Sequence, residues 1–349
     1  MIMNTLSMFS NDRDDVFCDV AVLMLTFKKR LAVIKRFLDS VYSSVKYADA
    51  NGIRAKVVLL EYGCDTSVLQ YAKNLGFRVV SFNIDPGVSL MRNYIIVKYC
   101  RKCRYIITLD DDVIMMPHTI VRLVEFMDAY HTDIAQPIIL NPDGSIQSKG
   151  FYFNLLGGRA FKATDRSPHP VTYTSACCSI FRLSSLTKIG LFDNNIRIQF
   201  DDCEIGLRAW LNKLRVYYMP TTSVIHVGEL TWSRRGTKKD LIKYCYHATY
   251  KVYLLLKLFS RLGLFRVLYL TFVALTLQIV QLLVTRRVYE VIGIIIGSFR
   301  GIRTFITCKY NHDVHNHRNS INNKIWGIIK QAFINEVKSH LLRKIKVKV

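Results

Sequence analysis

The sequence predicts an α/β fold built on a parallel sheet, followed by a basic and apolar helical region. Short, continuous apolar runs alternate with amphipathic stretches from Val20 to about Met219, and most of the net positive charge lies beyond that segment. Unbroken apolar runs separated by helices are typical of strands covered on both faces. With 349 residues, half of them hydrophobic, the chain is neither disordered nor fibrous and can hold a large domain with an appendage.

Four apolar runs in the first third of the chain are predicted strands: residues 20–25, 57–60, 78–82 and 105–109. Helices are predicted from Leu31 to Ser44 after the first strand and through Leu69 and Leu75 after the second. A further strand is predicted at residues 216–219. In a parallel sheet, ligands bind outside the carboxyl ends of the strands, so the residues that follow each run are candidates for a binding site.

Charged residues and glycine collect at these predicted strand ends. Residues 26–30 (TFKKR) follow the first strand, residues 61–65 (EYGCD) the second, and residues 85–93 (DPGVSLMRN) the third. The fourth strand ends in Asp110, Asp111 and Asp112. The convergence of these segments at one sheet edge indicates a binding site more strongly than any one of them does.

The aspartate triplet is predicted to bind a divalent cation. Like charges at the end of a buried strand repel one another, and carboxylate oxygens are preferred ligands of Mg²⁺ and Mn²⁺. The alternative is a solvated acidic turn that caps a helix from His118. Because the triplet follows an apolar strand and shares the ligand edge with Arg92, we favour the metal.

Two later features complete a candidate constellation. Asp201, Asp202 and Glu204 open an amphipathic helix, where they either complement the helix dipole or supply a rigidly held catalytic base. His226 follows an apolar run, where a single histidine is either structural or a metal ligand. The order of these features, an aspartate triplet, an acidic helix start and then a histidine, carries more weight than any one of them.

This ordered set resembles the family 2 inverting glycosyltransferases of the GT-A fold, and its branch looks like the rhamnosyltransferase-like enzymes. The matching segments are residues 26–30, 92–93, 109–112, 144–150 (GSIQSKG), 173–177 (YTSAC), 189–193 (IGLFD), 201–204, 218–220 and 225–226. The resemblance covers roughly residues 19–232. Each motif is weak alone, but the ordered set is specific.

The resemblance implies a nucleotide-diphospho-sugar transferase that moves a sugar, with inversion, to a hydroxyl of a lipid-linked or glycan acceptor. It implies that Asp202 is the general base and that Asp112 and His226 bind Mg²⁺ or Mn²⁺. The implied donor-binding residues are Thr26, Arg30, Glu61, Arg92, Asp110 and Asp111. Glu61 stands where the family usually has Asp, and Asp201 where it usually has Glu, so Asp201 stays an alternative base.

The last third of the chain is predicted to meet a negative surface. Residues 230–349 hold 22 Lys and Arg against four Asp and Glu, which is +18 of the formal +23. Residues 267–284 lack charge and approach the length of a membrane span, whereas 288–299 are too short to span and contain Glu290. A polar stripe on 267–284 favours a helix pair with 246–259 at a membrane interface. The alternative is a basic helical subdomain packed on the enzyme. Basic residues that would favour anionic lipid are Arg234, Arg235, Lys238, Lys239, Arg343, Lys344, Lys346 and Lys348.

The predicted organisation is an N-terminal tail (1–18), a catalytic domain (19–232) and a membrane-associating region (233–349). The first residues lack the apolar core of a secretory signal, so we expect the cytoplasmic face of the membrane, with at most one spanning helix and mostly reduced thiols. Cys100 and Cys103 are then expected to be buried or incidental thiols rather than a zinc site.

Two other functions are compatible with parts of the sequence. A sugar-phosphate nucleotidyltransferase would also be metal-dependent and α/β, but residues 26–30 lack the glycine of a phosphate-binding loop. A nucleic-acid-binding protein could use the basic region, but that region has no recognisable nucleic-acid-binding motif and its apolar runs suit lipid. No nucleic-acid partner is therefore expected.

Overall fold

The computed structural model describes residues 18–153, 167–228, 238–259, 264–284 and 287–309. These residues form one mixed sheet of ten strands, covered by helices on both faces. The strands are β1 (Val20–Phe27), β2 (Ala55–Tyr62), β3 (Arg78–Ser81), β4 (Tyr105–Asp110), β5 (Val113–Met115), β6 (Ile134–Leu140), β7 (Ile146–Ser148), β8 (His169–Pro170), β9 (Cys178–Arg182) and β10 (Val216–His226). The helices are α1 (Leu31–Ala50), α2 (Thr66–Asn74), α3 (Val88–Tyr99), α4 (Thr119–Ala129), α5 (Leu183–Lys188), α6 (Asp201–Leu211), α7 (Lys238–Phe259), α8 (Leu264–Val284) and α9 (Val288–Lys309).

The first strand shows why these apolar runs form a sheet buried on both faces. Val20, Val22 and Met24 belong to a core shared with α1, α2 and α4, whereas the alternate residues Ala21 and Leu23 belong to a core shared with α3, α5 and α6. Side chains alternate between the two faces of a strand, so both faces must be apolar when both are covered. The α/β expectation is confirmed.

The strands lie in the order β3-β2-β1-β4-β9-β6-β10-β5, and β7 and β8 pair with β6 and β10. β1 runs parallel to β2 and β4, and β2 runs parallel to β3. The prediction of a parallel sheet is correct for this half. It is wrong for β9, which lies antiparallel between β4 and β6, and for β5, which is antiparallel to β10.

Two boundaries near the aspartate triplet differ from the expectation. The short strand β5 follows the triplet almost at once, so the triplet does not cap α4, whose N-cap is His118. The strand predicted at 216–219 continues to His226, which lies on β10 rather than after a strand. Both differences arise because β5 and the end of β10 pair with each other.

The expectation that Cys103 is a free thiol is wrong. Cys103 forms a disulfide with Cys18, whereas Cys100 is free and buried. Cys18 lies just before β1, and Cys103 lies in the turn before β4. The bridge is therefore at the amino ends of these strands, whereas the aspartate triplet is at the carboxyl end of β4. A cavity of about 220 Å³ lies beside it, lined in part by Cys100 and Arg78.

The helical region differs from its expected boundaries. The segment judged too short to span is part of the 22-residue helix α9. Within the described ranges, one helix, Val288–Cys308, is long and apolar enough to cross a membrane, and Thr271–Val284 is a shorter apolar helix. The domain boundary at 232 and the basic residues 234, 235 and 343–348 lie outside the described residues, as do the side chains of Lys238 and Lys239.

Glycine at every fourth position of α9 permits an unusually close approach to α7. A Cβ on Gly293, Gly297 or Gly301 would collide with backbone carbonyl oxygens of Leu241, Cys245 and Thr249, respectively. Because successive glycines along α9 meet successive residues along α7 in the same chain direction, the two helices run parallel. Small residues at such spacing are the usual means by which helix backbones come into contact.

Candidate functional site

Asp110, Asp112 and His226 form a cluster at the carboxyl end of β4. One ligand atom from each residue lies within 4.8 Å of the others. The strand pairing brings them together: His226 is opposite Val113 in the β10–β5 pair, and the Val227 amide donates to the Asp112 carbonyl oxygen at 2.9 Å. His226 Nε2 lies 3.2 Å from Asp112 Oδ1. Residues 114 positions apart in the chain thereby share one site.

The carboxylates of the cluster have opposite pKa shifts. Burial raises the pKa of Asp110 to about 6, although the Arg92 charge acts in the other direction. Burial also acts to raise the pKa of Asp112, but the hydrogen bond and charge of His226 outweigh it and hold that pKa below the ordinary value. Two carboxylates and an imidazole suit a divalent transition metal and leave coordination positions for further oxygens. The donor set therefore fits the predicted cation, with Asp110 as an additional ligand.

Gln147 orients the histidine. Its Oε1 lies 2.8 Å from His226 Nδ1, and an amide oxygen can only accept, so Nδ1 carries the proton. Nε2, which donates to Asp112 when the imidazole is charged, is then the nitrogen that could bind a cation after it loses its proton. Gln147 lies in the segment 144–150 that carried part of the family resemblance, but nothing in the sequence pattern indicated this contact.

The predicted donor-binding residues at the ends of β1 and β2 lie side by side. Thr26 and Glu61 are register partners, and both are buried. Thr26 Oγ1 donates to Asp111 Oδ2 at 2.7 Å, and Glu61 Oε2 accepts from the Cys64 amide at 3.0 Å. Arg30 is exposed at the N-cap of α1. Their roles in donor binding stay predictions.

Lys29 belongs to the same edge of the sheet, although it was not singled out as a site residue. Its Nζ lies 3.7 Å from Asp111 Oδ1. An ammonium group at this position can offset a diphosphate charge. Its place in the basic run 28–30 after β1 was the available signal.

Arg92 lies in the interior of the site. It is 2% exposed and forms a buried ion pair with Asp201, itself 5% exposed. Its Nε is one of the few buried side-chain nitrogen or oxygen atoms among the described residues without a hydrogen-bond partner. Arg92 therefore contacts the start of α6, and this pairing occupies one of the two candidate bases.

The start of α6 is set by an uncommon backbone. Gln199 and Phe200 both have positive φ, at 63° and 61°, immediately before Asp201. Residues other than glycine seldom adopt this conformation, and such strain is concentrated at functional sites. Gly206 then lets α6 lie directly on the backbone of residues 172–173, because a Cβ there would lie 2.8 Å from the Thr172 carbonyl oxygen.

Adjacent residues of one segment connect Asp202 to the cluster of Asp110, Asp112 and His226. The Ala176 amide donates to Asp202 Oδ2 at 3.4 Å, and the Cys177 carbonyl oxygen accepts from the Asp110 amide at 3.0 Å. Asp202 Oδ1 also accepts from the Cys203 amide at 2.7 Å. Asp202 is thus linked to the cluster through residues 176 and 177, and it is half-buried at a helix N-terminus.

Comparison with known proteins gives a family and several solved structures with some similarity to this chain. A family model described as glycosyltransferase like family 2 matches residues 19–241. A search of curated proteins gives no match. The similar solved structures include GalNAc-T7 with UDP, GalNAc and Mn²⁺, at 15% identity and a TM-score of 0.49, over 61% of this chain and 43% of that one.

Two structures of TarS from S. aureus are also similar. One has 14% identity and a TM-score of 0.47, over 68% of this chain and 40% of TarS. The other, of TarS 1–349, has 15% identity and a TM-score of 0.48, over 68% of this chain and 65% of the TarS chain. This chain therefore spans less than two thirds of the length of each of these solved chains.

Proposed function

The chain belongs to the glycosyltransferase family 2-like proteins, and from this premise we propose that it is an inverting, metal-dependent glycosyltransferase. The donor is a nucleotide-diphosphate sugar, and the acceptor is a hydroxyl of a lipid-linked or glycan molecule. The observation that supports this most strongly is the Asp110–Asp112–His226 cluster, linked through residues 176 and 177 to Asp202 on α6. A rhamnose donor remains a prediction from the sequence resemblance alone.

Asp110, Asp112 and His226 would bind the cation, with Gln147 holding the histidine in the ligating tautomer. The imidazole favours Mn²⁺ over Mg²⁺, because Mg²⁺ prefers an all-oxygen shell. When bound, such a cation stabilises the negative charge that develops on the departing diphosphate. Lys29 adds a positive charge beside Asp111 on the same side of the site.

Asp202 is proposed as the base, rather than Asp201. Asp201 is committed to the buried pair with Arg92, whereas Asp202 is half-buried and linked through residues 176 and 177 to the candidate cation site. Asp202 would take the proton of the acceptor hydroxyl as the oxygen attacks the anomeric carbon. The bond between that carbon and the diphosphate oxygen breaks as the new one forms, which inverts the configuration.

The apolar faces of α8 and α9 are proposed to lie on an anionic membrane surface. The exposed apolar residues of the two helices include Phe272, Leu277, Val280, Leu283, Val284, Val288, Ile292, Ile295, Ile296, Phe299, Ile302 and Ile306. Arg300 and Arg303 are exposed beside Phe299, where they would meet anionic headgroups. The excess of 18 positive charges in residues 230–349 supports the same surface.

Helix α9 is proposed to lie along this surface rather than to cross the bilayer. Its glycines are in contact with the backbone of α7, which runs parallel to it. If α9 crossed, α7 would have to cross beside it, together with Asp240, Lys243, Lys251 and Lys257. Charges at the centre of a bilayer are costly.

The cytoplasmic side stays a prediction, and the Cys18–Cys103 bridge weighs against a reducing compartment.

The transferase proposal is tested on the full chain in detergent, by thermal shift with Mn²⁺ and a panel of UDP-, GDP- and dTDP-linked sugars. A donor at about 100 times its Kd adds about 2.7 kcal/mol, which raises Tm by roughly 5–10 °C for a domain of this size. We expect Asp112→Ala to lose this shift and Glu125→Ala, an exposed carboxylate on α4, to keep it. An unchanged shift in Asp112→Ala, or no shift with any donor, contradicts the proposal.

The base is tested in the same preparation with the donor that binds. Asp202→Asn should keep the donor-induced shift and lose about 10²- to 10⁴-fold in transfer rate. Transfer at the wild-type rate would assign the base elsewhere. The anomeric configuration of the product, measured by NMR, tests inversion separately.

Membrane association has its own test, sedimentation with vesicles of phosphatidylcholine alone or with about one third phosphatidylserine. We expect binding to the anionic vesicles and its loss in Phe299→Glu. Ile146→Glu changes an exposed isoleucine on β7 and serves as the control. Equal binding of both variants would refute the assignment of this face.

A further inference from the structure

A partly buried network of charges joins α7 to the helix that carries Asp202. Lys257 Nζ donates to Asp193 Oδ2 at 2.6 Å and to Glu204 Oε1 at 2.8 Å. Glu204, on α6, is fully buried and also accepts from Arg208 Nε and Nη2 at 2.8 and 2.7 Å. Tyr253, on α7, donates to Asp193 Oδ2 at 2.7 Å. The network thus contains two carboxylates and two cations.

Lys257 supplies the positive charge on which the neutrality of this network depends. The Arg208 guanidinium also donates to the carbonyl oxygens of Ile189 and Leu191, so its donors are divided between Glu204 and the backbone. Burial acts to raise the pKa of Asp193, but the Lys257 charge and its hydrogen bond outweigh it and lower that pKa. Without Lys257, two largely buried carboxylates would share one guanidinium, and an uncompensated buried charge is strongly destabilising.

The network includes Glu204, which lies two residues after the proposed base, in the first turn of α6. The Glu204 amide donates to the carbonyl oxygen of Phe200 at 2.8 Å, which closes the first turn of α6 around Asp201 and Asp202. The segment that carries Asp193 also contacts α3: the Val88 amide donates to the Arg197 carbonyl oxygen at 2.8 Å. Helix α3 in turn carries Arg92, the partner of Asp201. Asp193 and Glu204 therefore support α3, which carries Arg92, and α6, which carries Asp201 and Asp202.

Lys257 lies outside the segment that defines the family. The family match ends at residue 241, and the sequence had suggested a catalytic domain ending at 232. Apolar contacts reinforce the joint, since Leu255 of α7 belongs to one cluster with Cys203 and Leu207 of α6. The C-terminal helices are thus part of the packing of the base helix rather than a separate appendage.

We infer that Lys257 is a positioning residue, which holds the first turn of α6, and with it Asp202, by neutralising Glu204 and Asp193. The catalytic unit therefore includes α7. The consequence for catalysis depends on the proposed role of Asp202, whereas the anchoring of α6 does not. A matched set of variants separates the two: Lys257→Met removes the charge, Lys257→Arg keeps it, and Lys73→Met is an exposed control on α2.

Hydrogen exchange on the full chain in detergent tests the anchoring without any need for activity. We expect amides of residues 202–207 to exchange at least tenfold faster in Lys257→Met than in wild type, and those of β1 to be unchanged. Lys73→Met should match wild type, and Lys257→Arg should recover most of the protection. Equal exchange of residues 202–207 in Lys257→Met and Lys73→Met would overturn the inference.

Kinetics with the donor that binds test the positioning. We expect kcat of Lys257→Met to fall at least tenfold with donor KM within about twofold, and Lys257→Arg to recover much of it. If Lys257→Met does not fold, Tyr253→Phe, which removes one bond to Asp193, should show the same pattern more weakly. Faster exchange with unchanged kcat overturns the catalytic part alone. If wild type transfers nothing, the proposed function fails, and exchange still decides the anchoring.

Discussion

The Cys18–Cys103 disulfide gives a prediction whose size follows from the chain length that it closes. The two cysteines are 85 residues apart, and both are buried. The entropy of closing a loop of that length in the unfolded chain corresponds to about 4–5 kcal/mol at 25 °C. Replacing both cysteines with serine removes this term without leaving a single reactive thiol. We therefore expect the double variant to be less stable than wild type by about that amount.

The measurement is urea unfolding of the two proteins, followed by tryptophan fluorescence, with and without dithiothreitol. The reductant should lower the wild-type midpoint to that of the double variant and leave the double variant unchanged. Cys100→Ser is the control, because this thiol is buried in the same turn but free. Alkylation of the unfolded, unreduced wild type should modify seven of its nine cysteines.

Two results would refute the reasoning. Modification of all nine thiols in protein taken directly from cells would mean that the bridge is not formed there. A stability difference under about 1 kcal/mol, with the bridge formed, would mean that the unfolded chain is already constrained. The first result would support the cytoplasmic assignment, and a formed bridge would contradict it.

Three further predictions concern the site and its support. Gln147→Leu should weaken Mn²⁺ binding about 10- to 100-fold in calorimetry, because it frees the histidine tautomer, and Gln70→Leu on the exposed face of α2 should not. Asp201→Asn should cost about 3–5 kcal/mol in urea unfolding, because it leaves the Arg92 charge buried, whereas Asp202→Asn should cost far less; equal costs would contradict the assignment of Asp201 to this pair. The lowered pKa of Asp193 implies stability that is present above the ordinary Asp value of about 3.9 and lost as pH falls through the lowered one. The stability difference between wild type and Lys257→Met should therefore be largest near pH 7 and shrink below about pH 4, and a difference independent of pH would argue against the pairing.

The sequence was most informative about polar and charged residues that directly follow an apolar strand. Continuous apolar runs predicted β1 and β4, and the rule for the carboxyl ends of strands placed Thr26, Glu61 and the aspartate triplet at one edge. β5 was missed because three apolar residues after an acidic turn carry no periodic signal. Its pairing with β10 is what brings His226 to the triplet. The order of motifs was therefore informative before the contact itself could be derived.

Long-range partners could not be derived from local pattern. Arg92 and Asp201 are 109 residues apart, and a basic residue after a strand gives no sign that it will pair with a helix start rather than with a ligand. Cys100 and Cys103 were expected to be thiols, because a single C-x-x-C pair gives no sign of a distant partner. The partner of Cys103 is Cys18, which lies before the first strand. Such distant residues meet because of the order of the strands in the sheet, which a single sequence does not specify.

The end of α9 was misjudged for a different reason. Glycine is a poor helix former, so Gly293, Gly297 and Gly301 weaken the helical signal after residue 288. In the folded protein their missing side chains admit the backbone of α7. The packing gained outweighs the local preference, and the helix continues to Lys309.

The parallel course of α7 and α9 determines where the remaining chain begins. Phe305, near the end of α9, contacts the cluster of Ile196, Tyr250 and Tyr253, so the described chain ends near the segment that braces the base helix. The last 40 residues carry eight Lys and Arg against two acidic residues. Tethering raises the effective concentration of whatever such a segment binds, to the millimolar range for a short linker. An anionic group bound by this segment would therefore be held within a linker's reach of the end of α9.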